Sequence, residues 1–346
     1  MSTAKFDPHK KYRVFVLGDG AWGTALALTL LSKKYQVMLW GYESGYIKKM
    51  AKRRENFKFL PGLKLPASLS LTGEDANLED SYDLMIMAVP TQYCRSILVR
   101  VKEYFPPSLP VVSVAKGIEN GTLLRPTQVI REILGNRMPL GVLCGPSHAE
   151  EVARHIPTSV VASSNDEEFA EWLQHVFNTP RFRVYYNTDL VGVELGGALK
   201  NVIAIPAGIN DGLKFGDNAK SALMTRGLME IVRLGVALGA RKSTFSGMAG
   251  MGDLLTTCFS PHGRNRACGE LIGKGKTLKE ILDATEKVTE GVWTTKSVLE
   301  LARKHDIEMP ITEELYKILF KNKNIQKAVH DLMTRSSKAE IDKLAE

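Results

Sequence analysis

Short β-branched and aromatic runs alternate with stretches of helical apolar spacing through the first half of the chain. Tyr12–Leu17 is such a run and ends in glycines, Trp22–Lys34 follows with apolar positions three and four apart, and Gln36–Trp40 is again strand-like. Further apolar strands are expected at Leu84–Val89, Val111–Ala115, Leu140–Cys144, Thr158–Ala162 and Phe182–Tyr186. Helices are expected between them over Thr91–Tyr104, Arg125–Leu134 and Asp166–Asn178. Strands alternating with helices predict a parallel, doubly wound sheet. After about Asp189 the strand signal fades, and helical periodicity takes over near 192–209, 219–238, 277–283, 291–304, 312–320 and 324–334. The expected fold is α/β, with a doubly wound sheet over 1–190 and an all-helical domain over 191–346.

Composition narrows the class without naming it. The 346 residues fit two domains, and 44% hydrophobic with 24% charged residues is ordinary for a packed core. No uninterrupted apolar run reaches the roughly 20 residues of a membrane span. The best stretch, Leu190–Ile209, carries Glu194 and Lys200, so no integral membrane segment is expected. Met1 to Lys11 reads as a polar lead-in without the apolar core of a secretory signal. The ending Leu344-Ala345-Glu346 is not a peroxisomal address. Cys94, Cys144, Cys258 and Cys268 form no Cys-x-x-Cys pair and no zinc spacing, which points away from a metal and toward a reducing, cytoplasmic setting. The net charge of +8 is spread out, and its densest run, Lys48-Lys49 with Lys52-Arg53-Arg54, reads as the solvated face of a helix rather than a nucleic-acid surface. A moderate positive field also attracts phosphorylated small molecules.

Gly18-Asp19-Gly20-Ala21-Trp22-Gly23 is a G-x-G-x-x-G string between an expected strand and an expected helix, the context in which that string signals a Rossmann-like dinucleotide fold. Gly18 permits the tight turn, Gly20 lets backbone approach a pyrophosphate, and Gly23 lets helix and strand pack closely. The pyrophosphate would rest on the amides at the helix N-terminus. Glu43, just past the second strand, stands where an acid binds the ribose 2′-hydroxyl of NAD and repels the 2′-phosphate of NADP; it also reads as a plain surface acid. The lean is to NAD, with NADP possible.

The chemistry is expected in the helical half. Glu194-Leu-Gly196-Gly197-Ala-Leu-Lys200-Asn201-Val202 sets a lysine in an apolar helix, where an unpaired charge is costly. Gly196 and Gly197 lie on the face of Lys200 and are expected to clear space for a flat substrate or nicotinamide ring. Lys116 follows the strand Val111–Ala115, at the carboxyl end where ligands of open sheets bind. Gly252-Asp253 through Thr257-Cys258 leads to Gly263-Arg264-Asn265-Arg266, expected as a glycine-bounded loop whose guanidinium suits a phosphate, or else as a helix-entry turn with solvated arginines. Cys258, close by, reads either as a reactive thiol or as a small buried residue.

Taken together these strings resemble the NAD(P)-dependent glycerol-3-phosphate dehydrogenase family, nearer its bacterial branch, over nearly the whole chain. The resemblance is carried by Gly20-Ala-Trp-Gly-Thr-Ala-Leu-Ala27, Asn56 to Pro66, Lys116-Gly-Ile-Glu119, Gly145-Pro-Ser147 and Gly192 to Val202. Gly216-Asp-Asn-Ala219, Thr225-Arg-Gly-Leu228, Gly250 to Leu254, Gly263-Arg-Asn-Arg266 and Glu290-Gly291 complete it. It implies reversible reduction of dihydroxyacetone phosphate to sn-glycerol 3-phosphate in glycerophospholipid and carbohydrate metabolism, by a cytoplasmic homodimer.

The same resemblance implies Lys200 as proton donor and acceptor at the substrate C2 oxygen, with Lys116 and Asp253 orienting substrate and tuning that lysine, and Asn201 and Thr257 contributing. Burial and the charge of Lys116 would lower the Lys200 pKa toward neutrality, and Asp253 would oppose them. Arg264 and Asn265 would hold the phosphate, with Gly263 contributing backbone where many members have a serine. Gly145 and Ser147 would also meet substrate. Ala21, Trp22, Ala149 and Lys116 would line the cofactor site, completed by Arg264, Val288 and Glu290. Asp19 departs from the family's usual alanine, so its side chain should point away from the phosphates; His148 replaces an aromatic. Two rivals stand beside this reading. One is another two-domain Rossmann dehydrogenase acting on a small phosphorylated or hydroxy-acid substrate, although the β-hydroxyacid enzymes place an asparagine where this chain has Ala204. The other is a non-catalytic dinucleotide sensor, which the joint retention of Lys200, Asp253 and Arg264 opposes.

Overall fold

Strands buried on both faces of a sheet need apolar side chains without alternation, and the first half of the chain supplies them. In the computed structural model, which describes residues 10–75, 81–284, 288–337 and 339–340, eight strands form one sheet in the order β3-β2-β1-β4-β5-β6-β7-β8. Most of the lead-in (1–9) and the ending Leu344-Ala345-Glu346 lie outside the described residues. The strands are β1 (Arg13–Leu17), β2 (Gln36–Trp40), β3 (Leu69–Thr72), β4 (Leu84–Met87), β5 (Val111–Ser113), β6 (Leu140–Cys144), β7 (Thr158–Ser163) and β8 (Phe182–Asn187). Helices α1 (Ala21–Ser32), α2 (Ser44–Arg53), α3 (Thr91–Val101), α4 (Pro126–Leu134), α5 (Ala149–Val152) and α6 (Glu167–Phe177) connect them. β1 lies between β2 and β4, so the winding direction reverses there, and the crevice beyond the carboxyl ends of those strands is where open α/β sheets bind ligands.

Two expectations need correction. β7 runs antiparallel to β6 and parallel to β8, so the sheet is mixed rather than wholly parallel. Apolar patterning reports burial, not strand direction. β3 was not expected at all: Leu69-Ser-Leu-Thr72 is four residues at the sheet edge with only its two ends buried, too short to display a period.

The second half is helical: α7 (Leu190–Leu213), α8 (Asp217–Ala237), α9 (Asp253–Phe259), α10 (Arg264–Gly273), α11 (Leu278–Asp283), α12 (Glu290–Lys304), α13 (Pro310–Lys321) and α14 (Ile325–Met333). A π-helical turn, Met248–Gly252, leads directly into α9. By length and apolar composition α7 is able to cross a membrane, which the count of uninterrupted apolar residues passed over because Glu194 and Lys200 break the run. Yet 89% of its most apolar window is buried inside the fold, the condition of a core helix.

The chain divides into two compact units, 1–115 with 126–190, and 116–125 with 191–346. The ten residues 116–125, expected with the sheet, belong to the helical unit. Arg125 pairs with the buried Glu194 at 2.5 Å, and the Ser297 hydroxyl donates to the carbonyl of Ile118 at 3.3 Å. The Asn201 amide donates to the carbonyl of Lys116 at 3.0 Å. Glu194 is thus answered by a partner 69 residues away in sequence, which no local pattern reveals.

Candidate active site

In the sheet unit, the loop after β1 is built by glycine contacts. Gly18 has φ +123°, and a Cβ there would lie 2.7 Å from the Ala88 carbonyl oxygen. A Cβ on Gly23 would lie 2.1 Å from the carbonyl oxygen of Gly18, so α1 packs onto the loop only without one. Gly20, by contrast, has nothing within 4 Å of a Cβ position: its backbone is open to a ligand. Ala21 opens α1, whose N-terminus has no side-chain cap and no acid in its first turn, leaving its amides for an anion. The Trp22 indole N–H is buried with no partner among the described residues, and its ring lies 6.4 Å from that of Phe182. These features fit a dinucleotide pyrophosphate.

Asn56 holds this loop, a role the sequence reading did not assign it. Its buried amide donates to the Asp19 carbonyl (2.8 Å) and to Thr24 Oγ1 (2.7 Å), while its Oδ1 accepts from the Tyr46 hydroxyl (2.7 Å) and the Phe59 amide (3.1 Å). An asparagine meeting four partners from loop, helix and strand connection is invisible to local periodicity. Glu43 is the N-cap of α2, directly beyond β2. Gly145 packs against Val160, the Ser147 hydroxyl donates to the Gly145 carbonyl (2.9 Å), and Ala149 opens α5.

In the helical unit, Lys200 of α7 and Lys116 share the carboxylate of Asp253, the first residue of α9. Lys116 Nζ lies 2.7 Å from Oδ2 and Lys200 Nζ 2.9 Å from Oδ1. Thr257, one turn along α9, accepts a hydrogen bond from Lys200 Nζ. The Asp253 and Lys200 side chains are 2% and 8% exposed, so this cluster acts at low dielectric. Burial would push the Asp253 carboxyl up, but the ammonium groups of Lys116 and Lys200 outweigh it and hold it below the usual carboxylate range. The carboxylate whose distance from Lys200 the sequence leaves open is thus in direct contact with it.

Glycines bring the surrounding helices together. A Cβ on Gly196 would lie 2.5 Å from the Ala249 carbonyl oxygen, so Gly196 admits the backbone of the π-helical turn that presents Asp253. This corrects the expectation that Gly196 clears room for a substrate. Asn265 donates to Asn201 Oδ1 (2.9 Å) and accepts from the Gly291 amide (3.0 Å), joining α10, α7 and α12. A Cβ on Gly291 would lie 2.3 Å from the Asn201 carbonyl oxygen. Arg264 and Asn265 form the first turn of α10, with Gly263 as its N-cap, rather than a loop. The Arg264 guanidinium is exposed and donates to the Val288 carbonyl (2.9 Å), two residues before Glu290 opens α12. The Cys258 thiol is fully buried; burial pushes it up to about 12, which makes it inert at neutral pH. Among the described residues no three His, Cys, Asp or Glu side chains gather as metal ligands.

An open glycine cradle at the head of a sheet and a buried lysine–carboxylate–lysine cluster among helices define a class, the nicotinamide-dependent oxidoreductases. The sequence matches models of the NAD-dependent glycerol-3-phosphate dehydrogenase N-terminus over residues 13–170 and C-terminus over residues 189–330. It is 50% identical over 94% of its length to glycerol-3-phosphate dehydrogenase [NAD(P)+] 2 of Salinibacter ruber, covering 96% of that protein. Identity to the Bacillus pumilus glycerol-3-phosphate dehydrogenase [NAD(P)+] is 46%, over 96% of this chain and 97% of the other. The crystal structure of glycerol-3-phosphate dehydrogenase from Coxiella burnetii superposes with a TM-score of 0.90 at 39% identity, over 94% of this chain and 99% of that one. The chain belongs to the NAD-dependent glycerol-3-phosphate dehydrogenase family and is an NAD(P)-dependent oxidoreductase.

Proposed function

We propose that the chain catalyses reversible reduction of dihydroxyacetone phosphate to sn-glycerol 3-phosphate with Lys200 as general acid and base. The observation that carries this reading is the Asp253 carboxylate bonded to two lysines at 2.7 and 2.9 Å. A bound nicotinamide supplies or accepts the hydride at C2. Lys200, held in direction by Asp253 and Thr257, gives a proton to the C2 oxygen as charge develops there, and its neutral amine takes the proton back in the oxidative direction. Lys116 draws on the same carboxylate, which weakens its hold on Lys200 and leaves a second positive charge to orient the substrate. Asn201 and Asn265 lock the helices that carry these groups. Arg264 and the first amides of α10 provide a site for the phosphate dianion; the first intrahelical acceptor there is the Gly263 carbonyl, bonded to the Ala267 amide at 2.8 Å. Gly145 and Ser147 complete the substrate contacts. Glu43 favours NAD over NADP, while Gly18, Gly20, Ala21, Trp22, Gly23, Ala149, Val288 and Glu290 serve the cofactor.

Lys200→Met should lower kcat by about 10²–10⁴ with NADH and dihydroxyacetone phosphate while leaving the dissociation constant of NADH unchanged. Near-normal turnover would remove Lys200 from the role. The four cysteines are buried and form no disulfide with one another, in keeping with a reducing, cytoplasmic setting. Met251, Leu255 and Phe259 stand exposed at intervals of four on the π-helical turn and α9, an apolar line suited to a homodimer. Sedimentation at the mass of one chain would count against it.

A further inference from the structure

Asp19 does more than turn aside from the phosphates. Its carboxyl carbon lies 2.7 Å from where a Cβ on Gly41 would stand, so the side chain fills the space beside the residue immediately after β2. The position is held from both sides. The Gly18 amide donates to the Trp40 carbonyl at 3.0 Å, tying the loop to the end of β2, and Asn56 holds the Asp19 carbonyl from the other direction. Glu43 follows two residues after Gly41 and is near enough to act on the same carboxyl. Burial first, and then the negative charge of Glu43, push Asp19 up to about 6. The cation that opposes this is Lys58, whose ammonium is engaged over the rings of Phe59 (5.2 Å) and Tyr46 (5.9 Å).

Two acids therefore converge at the end of β2, one from the glycine loop and one from the strand end. A dinucleotide with its pyrophosphate on the open backbone of Gly20 extends its adenosine ribose toward that end of β2. Hydroxyl groups of a ribose donate well to carboxylates, whereas a 2′-phosphate brings roughly two further negative charges to the same place. We propose that Asp19 is a specificity-determining residue for the dinucleotide, acting with Glu43 to favour NAD(H) over NADP(H). The proposal rests on the reading that the cofactor seats on the Gly18–Gly23 loop, and it adds a determinant that the glycine pattern does not contain.

The test is the dissociation constant of NADH and of NADPH, each measured by quenching of tryptophan emission, without turnover. It is run on the native chain, Asp19→Asn and Asp19→Ala, with thermal melting to show that each variant is folded. Native protein should bind NADH more tightly than NADPH. In Asp19→Asn, which keeps the shape and removes the charge, NADPH should tighten by about tenfold or more, because juxtaposed like charges are strongly unfavourable in a specific site. NADH should weaken by up to about tenfold, the scale of one weakened hydrogen bond from a ribose hydroxyl, so the two dinucleotides move in opposite directions. Asp19→Ala should shift the NADPH-to-NADH ratio in the same direction. An unchanged ratio in both variants, or equal weakening of both dinucleotides, would overturn the proposal. If native protein binds neither dinucleotide, it is the cofactor site on the glycine loop that fails instead.

Discussion

Asp253 has one carboxylate and two lysines to satisfy, and that ratio decides how each lysine behaves. A buried ammonium with an undivided carboxylate would be a stable ion pair and a poor acid; one that shares its partner is held in place yet less firmly neutralised. Arg264 stands in a different situation, exposed at a helix N-terminus and steadied by the Val288 carbonyl at 2.9 Å. It is oriented without being neutralised, as a phosphate receptor needs. Arg264→Ala should raise KM for dihydroxyacetone phosphate by about 10–100-fold, from the loss of about 1.5–3 kcal/mol of charge-assisted hydrogen bonding, while kcat changes far less. Steady-state kinetics check this, and an unaltered KM would dismiss the assignment. At this scale the sequence was informative about types and poor about partners. Lys200 announced itself by standing charged in an apolar helix, but its contact with Thr257 spans 57 positions. Gly196 was misread because a glycine that makes room for a ligand and one that makes room for backbone look alike in a string of letters.

Helices α7 and α10 show how close packing places those residues. Gly208 and Gly212 lie four apart on α7, and Gly269 and Gly273 four apart on α10, so each pair occupies one helix face. A Cβ on Gly208 would lie 1.9 Å from the Arg266 carbonyl oxygen, and one on Gly269 equally 1.9 Å from that of Ile205. The two backbones meet glycine to carbonyl, which brings Asn201 and Asn265 within a 2.9 Å hydrogen bond. Gly208→Ala must force the helices apart. It should destabilise the protein by about 3 kcal/mol, the upper range for overpacking, and lower kcat because Asn265 shifts against Asn201. Urea unfolding measures the first effect, and native-like stability would show that the helices separate freely. The elements themselves were largely legible: strands β1, β2, β4, β5, β6, β7 and β8 stand where apolar runs end in turn residues. The edge strand β3 and the helices α5, α9 and α10 were not: β3 buries only its two ends, α5 and α9 run four and seven residues between turns, and the start of α10 reads as a glycine-bounded loop.

Across the molecule, stability is tied to a buried acid in the helical unit. Glu230 of α8 caps the N-terminus of α13, accepting from the Ile311 amide (2.6 Å), the Thr312 amide (3.2 Å) and the Thr312 hydroxyl (2.9 Å). Burial nevertheless pushes its carboxyl up to about 7 from an ordinary 4.5. An acid whose folded pKa is raised contributes stability that is fully present below its unfolded value, and that is lost as pH rises through the folded one. The contribution should therefore fade between about pH 4.5 and 7 and amount to about 3 kcal/mol. Relative to Glu230→Gln, the native protein should lose that much stability between about pH 4.5 and 8. A difference that stays constant across those values would refute the shift. What the linear order of residues determined was whatever depends on neighbours along the chain. That covers the periods that make strands and helices, the glycine spacing that opens a phosphate cradle, and the strings that mark the family. The folded arrangement alone decided the reversal of β7 and β8, the transfer of residues 116–125 to the helical unit, and the joining of Lys116, Lys200 and Asp253. Asp19 likewise acquired its neighbours Gly41 and Glu43 only in the folded chain. The physical reason is common to all of these: periodicity records which side chains must leave water, while the identity of the group each then meets is set by contacts between segments far apart in sequence.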